Sequence, residues 1–83
     1  MSIEAKVERF ILDEILMDSK ATLDPNESLL GRGVLDSLAL LRLIRYLETE
    51  FGVTIEDGEV VPDNFDSLAS MKAFMEQKLS TST

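Results

Sequence analysis

Apolar residues at Ile3, Val7, Phe10, Ile11 and Ile15 recur largely at three- and four-residue intervals, with Glu4, Glu8, Arg9 and Asp13 taking much of the remainder. This is the stripe of a helix with one buried face, and it predicts helix one from about Ile3 to Asp18. From Ser19 to Asp36 the periodicity fails, and Pro25, Asn26, Gly31 and Gly33 are turn or breaker residues, so an eighteen-residue connection follows. Helices in a compact domain are usually joined by about 2–8 residues. A connection this long is expected both to serve a function and to be held over the core by Leu23, Leu29 and Leu30.

The helical signal restarts at Asp36, whose carboxylate can accept the free amide hydrogens of a first turn, and Leu41, Ile44, Leu47 and Phe51 follow at helical spacing. Gly52 ends this second helix. A projection at 100° per residue puts Leu40, Leu43, Ile44, Leu47 and Phe51 on one wide face and Leu38, Arg42, Arg45 and Thr49 on the other, exposed one. Val53, Ile55, Val60 and Val61 then stand among acids, and Pro62 limits any helix there to a turn or two, so a short third helix is expected near Asp57 to Val61. Asp66 or Ser67 caps a last helix in which Leu68, Met71, Phe74, Met75 and Leu79 repeat at three or four. The whole reads as an all-α bundle in one domain over residues 1–79, with 80–83 a frayed polar tail.

Composition narrows the chemistry. The 83 residues include no Cys and no His, which excludes disulfides, Cys- or His-based metal sites, an imidazole base and a Ser-His-Asp triad. Sixteen acidic against eight basic residues give a formal charge of −8, unfavourable for nucleic acid or anionic membranes and suited to a basic protein partner. The longest apolar run, Leu38 to Leu41, is far too short to span a membrane, and the N-terminus lacks signal-peptide character, so a cytoplasmic location is expected. From Tyr46 to Asp66 there are seven acidic residues and no basic one, a run that reads first as a solvated surface.

Three motifs compete for a functional reading. Asp24-Pro-Asn26-Glu-Ser28 opens like a calcium loop, but Leu29 stands where glycine is needed and Leu35 where the bidentate glutamate belongs, so no metal site is assigned. Paired carboxylates such as Glu48 with Glu50, or Glu56 with Asp57, have no apolar surroundings in sequence that would separate their pKa values, and no catalytic residues are assigned. Gly33-Val34-Leu35-Asp36-Ser37-Leu38 differs in kind, because it ends a long loop and presents a hydroxyl at a helix N-terminus, where amide hydrogens and the helix dipole favour a phosphate ester. Asp66-Ser67-Leu68 repeats the tripeptide before the last helix, so capping alone is a serious competing explanation for both copies.

The Gly33-to-Leu38 segment, the helix end Phe51-Gly52-Val53 and the Asn64-Phe65-Asp66-Ser67-Leu68 segment, in that order behind an apolar-striped first helix and a long loop, resemble the acyl carrier protein family, including peptidyl carrier domains. That resemblance implies a four-helix bundle with a long loop between helices one and two and a short third helix. It further implies 4′-phosphopantetheine on Ser37, transferred from coenzyme A by a phosphopantetheinyl transferase (a holo-ACP synthase), with Gly33, Asp36 and Leu38 supporting the motif. Acyl or aminoacyl cargo would ride as a thioester on the arm, loaded by an activating enzyme and passed to a downstream synthase or transferase. Helix two would be the docking element, through Leu38, Arg42, Arg45 and Thr49, and a monomer is expected. The cationic pair Arg42 and Arg45 departs from the acidic second helix of bacterial fatty-acid carriers. The Val-Leu-Asp-Ser-Leu and Asn-Phe-Asp-Ser-Leu wording looks more like stand-alone aminoacyl, peptidyl or D-alanyl carriers, while fatty-acid, polyketide and nonribosomal-peptide routes stay open. The alternative from another class is an unmodified acidic adaptor that binds a basic protein through helix two.

Overall fold

The computed structural model describes residues 2–18 and 20–81. Helix α1, Ile3–Phe10, starts at Ser2, whose Oγ accepts from the Ala5 amide at 3.0 Å. It continues without a break into a π-helical turn, Ile11–Ile15, with Leu16 N–H donating to the Ile11 carbonyl at 2.8 Å. The helix ends there, short of the expected Asp18, because the backbone turns left-handed at Met17 (φ 54°) and Asp18 N–H folds back to the Leu12 carbonyl at 2.8 Å. Sequence periodicity does not distinguish a widened turn, since Ile11 and Ile15 stand four apart in either geometry.

Helix α2, Ser37–Phe51, has both expected boundaries: Asp36 caps it through Oδ1 to the Ala39 amide at 2.8 Å, and Gly52 ends it at φ 67°. Leu43, Ile44 and Leu47 are buried, with Leu40 and Phe51 partly buried beside them, whereas Leu41 is 60% exposed and lies off the core face despite its helical spacing. The expected third helix is displaced. Asp57–Glu59 forms one 3₁₀ turn, and α3 is Pro62–Phe65, with Pro62 opening the helix where its missing N–H costs nothing. Helix α4, Leu68–Thr81, takes in Ser80 and Thr81; residues 82–83 of the expected tail lie outside the described residues.

No strand occurs among the described residues, and the architecture is the four-helix bundle with its long α1–α2 loop and short third helix. The core is one cluster that joins Val7, Ile11 and Leu12 of the first helix, Leu43 and Leu47 of α2, Phe65 of α3, and Leu68, Met71 and Met75 of α4. α1 packs chiefly on α4, and so does α3, whose Phe65 meets Phe74 edge to face at 5.4 Å. Phe10 stacks on Tyr46 at 4.4 Å and Lys6 pairs with Glu50 at 2.8 Å, joining α1 to α2. The acids at the end of α2 and after it are more than a solvated run. Glu48 accepts from the Ile55 amide at 2.9 Å, and Glu59 bonds both the Glu56 amide and Lys78.

The long loop is packed rather than loose. Leu23, Leu29 and Leu35 are buried in the common core, and Leu30 is partly buried. The junction between α3 and α4 holds the loop. Leu29 N–H donates to the Asp66 carbonyl at 2.6 Å, the Ser28 hydroxyl to Asp66 Oδ1 at 2.6 Å, and Ala69 N–H to the Pro25 carbonyl at 2.9 Å. Asp24 and Ser28, which in sequence opened like a calcium loop, are thus spent on turns: Asp24 Oδ1 accepts from the Asn26 amide at 2.8 Å, and Ser28 Oγ from Gly31 at 3.0 Å.

Candidate functional site at the start of the second long helix

The route to Ser37 is set by the three residues before Asp36. Gly33 adopts φ 76°, a conformation that L side chains rarely take, and Val34 N–H donates to the Leu29 carbonyl at 3.0 Å. Leu35 then enters the core at 4% exposure, which turns the chain outward at Asp36 and Ser37. Asp36 is extended (φ −91°, ψ −176°), and its carbonyl accepts from Leu40 N–H at 2.8 Å, the first helical bond.

The two Asp-Ser-Leu copies are read one residue out of step. In the first, Asp36 is the cap and Ser37 is the first helical residue, exposed, with no hydrogen bond to its hydroxyl among the described residues. In the second, Ser67 is the cap: its Oγ accepts from the Ser70 amide at 3.1 Å and meets Ser70 Oγ at 3.0 Å, and the residue is only 7% exposed. Asp66 is correspondingly free to hold Ser28. Capping therefore accounts for Ser67 and leaves Ser37 without a structural role.

The surroundings of Ser37 suit an anionic ester. Its own amide and that of Leu38 head a helix whose first turn contains no acidic residue, so both remain available to oxygen acceptors. Asp36, the preceding residue, has one carboxylate oxygen already engaged by the Ala39 amide. A phosphate attached at Ser37 fits this arrangement without displacing any bond of the fold.

The outer side of α2 carries the other expected residues. Leu38 is 69% exposed, and Arg42, Arg45 and Thr49 follow it on the surface. Arg42 also ties two helices together. Its Nη1 donates to the Glu14 carbonyl at 2.9 Å, one of the last-turn carbonyls of helix one, and its Nη2 lies 3.6 Å from the Glu14 carboxylate. Arg45 forms no ion pair among the described residues. The structure adds Leu41 and, across the cleft from Leu38, Leu16 (38% exposed) to this surface; Met17, next in the chain, is 83% exposed. Leu16 stands off the apolar stripe of helix one, which was the available sign; nothing in the sequence announces the left-handed Met17. Between the end of the π turn and the start of α2 lies a cleft of about 360 Å³, bordered by both neighbours of Ser37 in the chain.

Among the described residues no cluster of side chains could hold a metal ion, and no helix is long and apolar enough to cross a membrane. The helical bundle presents the uncommitted Ser37 at the start of its second long helix. The chain belongs to the family described as the phosphopantetheine attachment site, whose model matches residues 9–75, a span that takes in both serine motifs, the π turn, α2 and α3, the end of α1 and the first part of α4. A search of curated proteins gave no match. Among solved structures, the chain is similar to one in a crystal structure described as that of an FAD-dependent dehydrogenase, with a TM-score of 0.73 and 34% identity over 83% of this chain and 97% of that one.

Proposed function

We propose that the protein is a carrier whose Ser37 holds 4′-phosphopantetheine, received from coenzyme A through a phosphopantetheinyl transferase. The observation that carries this reading is the difference between the two serines: Ser67 is buried and committed as a cap, whereas Ser37 is exposed and uncommitted at a helix start. When bound, the group supplies a thiol that holds acyl or aminoacyl cargo as a thioester. The chain's own residues attach and present it. Gly33 and Leu35 aim the segment outward, Asp36 fixes the helix start, and the amides of Ser37 and Leu38 face the phosphate. The protein is then a substrate of enzymes and carries no catalytic residue, in keeping with a chain that has neither Cys nor His.

Leu38, with Arg42, Arg45 and Thr49 along the same side of α2, is proposed as the docking face for the transferase, the activating enzyme and the downstream synthase or transferase. Two arginines on that face oppose partners shaped for an acidic helix, which supports an aminoacyl or peptidyl role over housekeeping fatty-acid synthesis. Similarity to a chain from a flavin-dependent dehydrogenase structure supports one further client class, an enzyme that oxidises carrier-bound cargo. The test is intact-mass spectrometry after incubation with coenzyme A, magnesium and a broad-specificity transferase, followed by peptide mapping. One phosphopantetheine on Ser37 is expected. A folded protein that takes up none, beside a control carrier that does, would transfer the reading to an unmodified adaptor that binds a protein partner through α2.

A further inference from the structure

The cleft beside Ser37 has mixed walls. Ile15 and Leu16 come from the end of helix one, Val34 from the loop, and Leu38, Ala39 and Arg42 from α2. Four of these are large aliphatic side chains and one is a cation held in place by Glu14, through both its carbonyl and its carboxylate. Asp36 is the sole carboxylate on the wall, and the Ala39 amide engages it. Apolar surface with one fixed cation is poorly suited to a pure hydrocarbon tail, and a cleft of about 360 Å³ is at the small end of ligand pockets, which run from about 300 to 1,000 Å³. It matches an anionic group joined to a short branched aliphatic segment.

Resting on the reading that Ser37 is modified, we infer that this cleft seats the proximal part of the phosphopantetheine arm. Its phosphodiester is drawn towards Arg42, and its geminal dimethyl group packs on Leu16 and Leu38. Tethering is what selects this occupant. The attachment atom belongs to Ser37, both chain neighbours of Ser37 border the cleft, and a covalently held group is present there at high effective concentration. Only the phosphodiester and the geminal dimethyl segment are assigned to the cleft; the thiol end and its cargo lie outside it. Leu38 and Arg42 then serve two occupants in turn, the arm at rest and a client enzyme on docking, and a client that covers them releases the arm towards its own active site.

The experiment compares the apo protein with protein loaded from coenzyme A, whose adduct at Ser37 has been verified by mass, using methyl and amide NMR. The seat predicts contacts from the geminal methyls of the arm to methyls of Leu16 and Leu38, and resonance changes at Ile15, Val34 and the Arg42 side chain. In Arg42→Ala, loaded to the same extent, those changes at Ile15 and Val34 should at least halve. Lys72→Ala, which removes an exposed charge on α4, should leave them as they are. Glu14→Gln, which frees Arg42 from its carboxylate but keeps the main-chain bond, should preserve the seat. Loaded protein whose changes stop at residues 36–38, with no contact from the arm, overturns the inference, and so do changes undiminished by Arg42→Ala. Failure of the reading beneath it is separately visible, as absence of the mass adduct.

Discussion

Ser37→Ala and Ser67→Ala change the same residue in the same tripeptide, and the structure gives them opposite consequences. Ser67 Oγ accepts from the Ser70 amide at 3.1 Å and is 7% exposed, so truncation removes a helix cap from a dry position. Loss of a serine cap costs about 1 kcal/mol, and the orphaned Ser70 hydroxyl adds roughly 0.5 kcal/mol, a modest figure because it is only partly buried. Asp66 does not take over the cap without releasing Ser28, which it holds at 2.6 Å. The sum, about 1.5 kcal/mol, lowers the melting temperature of a domain this size by roughly 6–12 °C. At Ser37 no bond is lost and alanine is the better helix former, so stability should stay within about 0.5 kcal/mol of the parent. Thermal and urea melts followed by far-UV circular dichroism measure one half of the contrast, and transferase loading read by intact mass measures the other. Ser67→Ala is expected to be destabilised but to load at a temperature where it is folded; Ser37→Ala is expected to melt normally and not to load. A Ser67→Ala protein that melts with the parent, or a Ser37→Ala protein that loses more than about 1 kcal/mol, would refute the out-of-step reading of the two copies.

Two further perturbations test the frame around the site. Gly52 ends α2 at φ 67° with open space where a Cβ would stand, so Gly52→Ala should cost about 1 kcal/mol through backbone strain alone, seen as a lower urea midpoint at unchanged slope. The Lys78 ammonium, bonded at 2.7 Å, together with the Glu56 amide holds the Glu59 carboxyl below its ordinary pKa. A depressed carboxylate contributes stability that is fully present above its unfolded-state pKa and is lost as pH falls through the folded one. Glu59→Gln should therefore flatten the acid limb of a stability-versus-pH curve and leave its neutral limb parallel to that of the parent; an unchanged acid limb would show that the pair adds nothing.

The helices that pack against the core were legible because burial imposes a period, and the residues that set it, Val7, Ile11, Leu43, Leu47, Met71 and Met75, are all in the core. The ends of α2 were legible because Asp36 and Gly52 act locally. Elsewhere one residue admits two local roles. Pro62 stops a helix before it and starts one after it, and only the packing of Phe65 and Phe74 decides that the helix lies after. Leu41 meets the helical spacing, yet the position of the core leaves it outside. The π turn is invisible to a four-residue interval, and with it the early end of helix one that opens the cleft beside α2. The site motif was legible as a candidate; its separation from the second copy needed the loop contacts, which join residues some forty positions apart.

Those contacts make the second Asp-Ser-Leu copy a remote foundation for the first. Asp66 grips the loop at Ser28 and Leu29 by side chain and main chain together, and Leu29 in turn accepts from Val34 and Leu35 just ahead of the site. The aim of Ser37 is thereby inherited from residues some thirty positions further along the chain. A variant at Asp66 releases Ser28 and loosens the loop that carries Leu29, so its effect is expected to reach Ser37 as slower loading by a transferase, alongside a lower melting temperature.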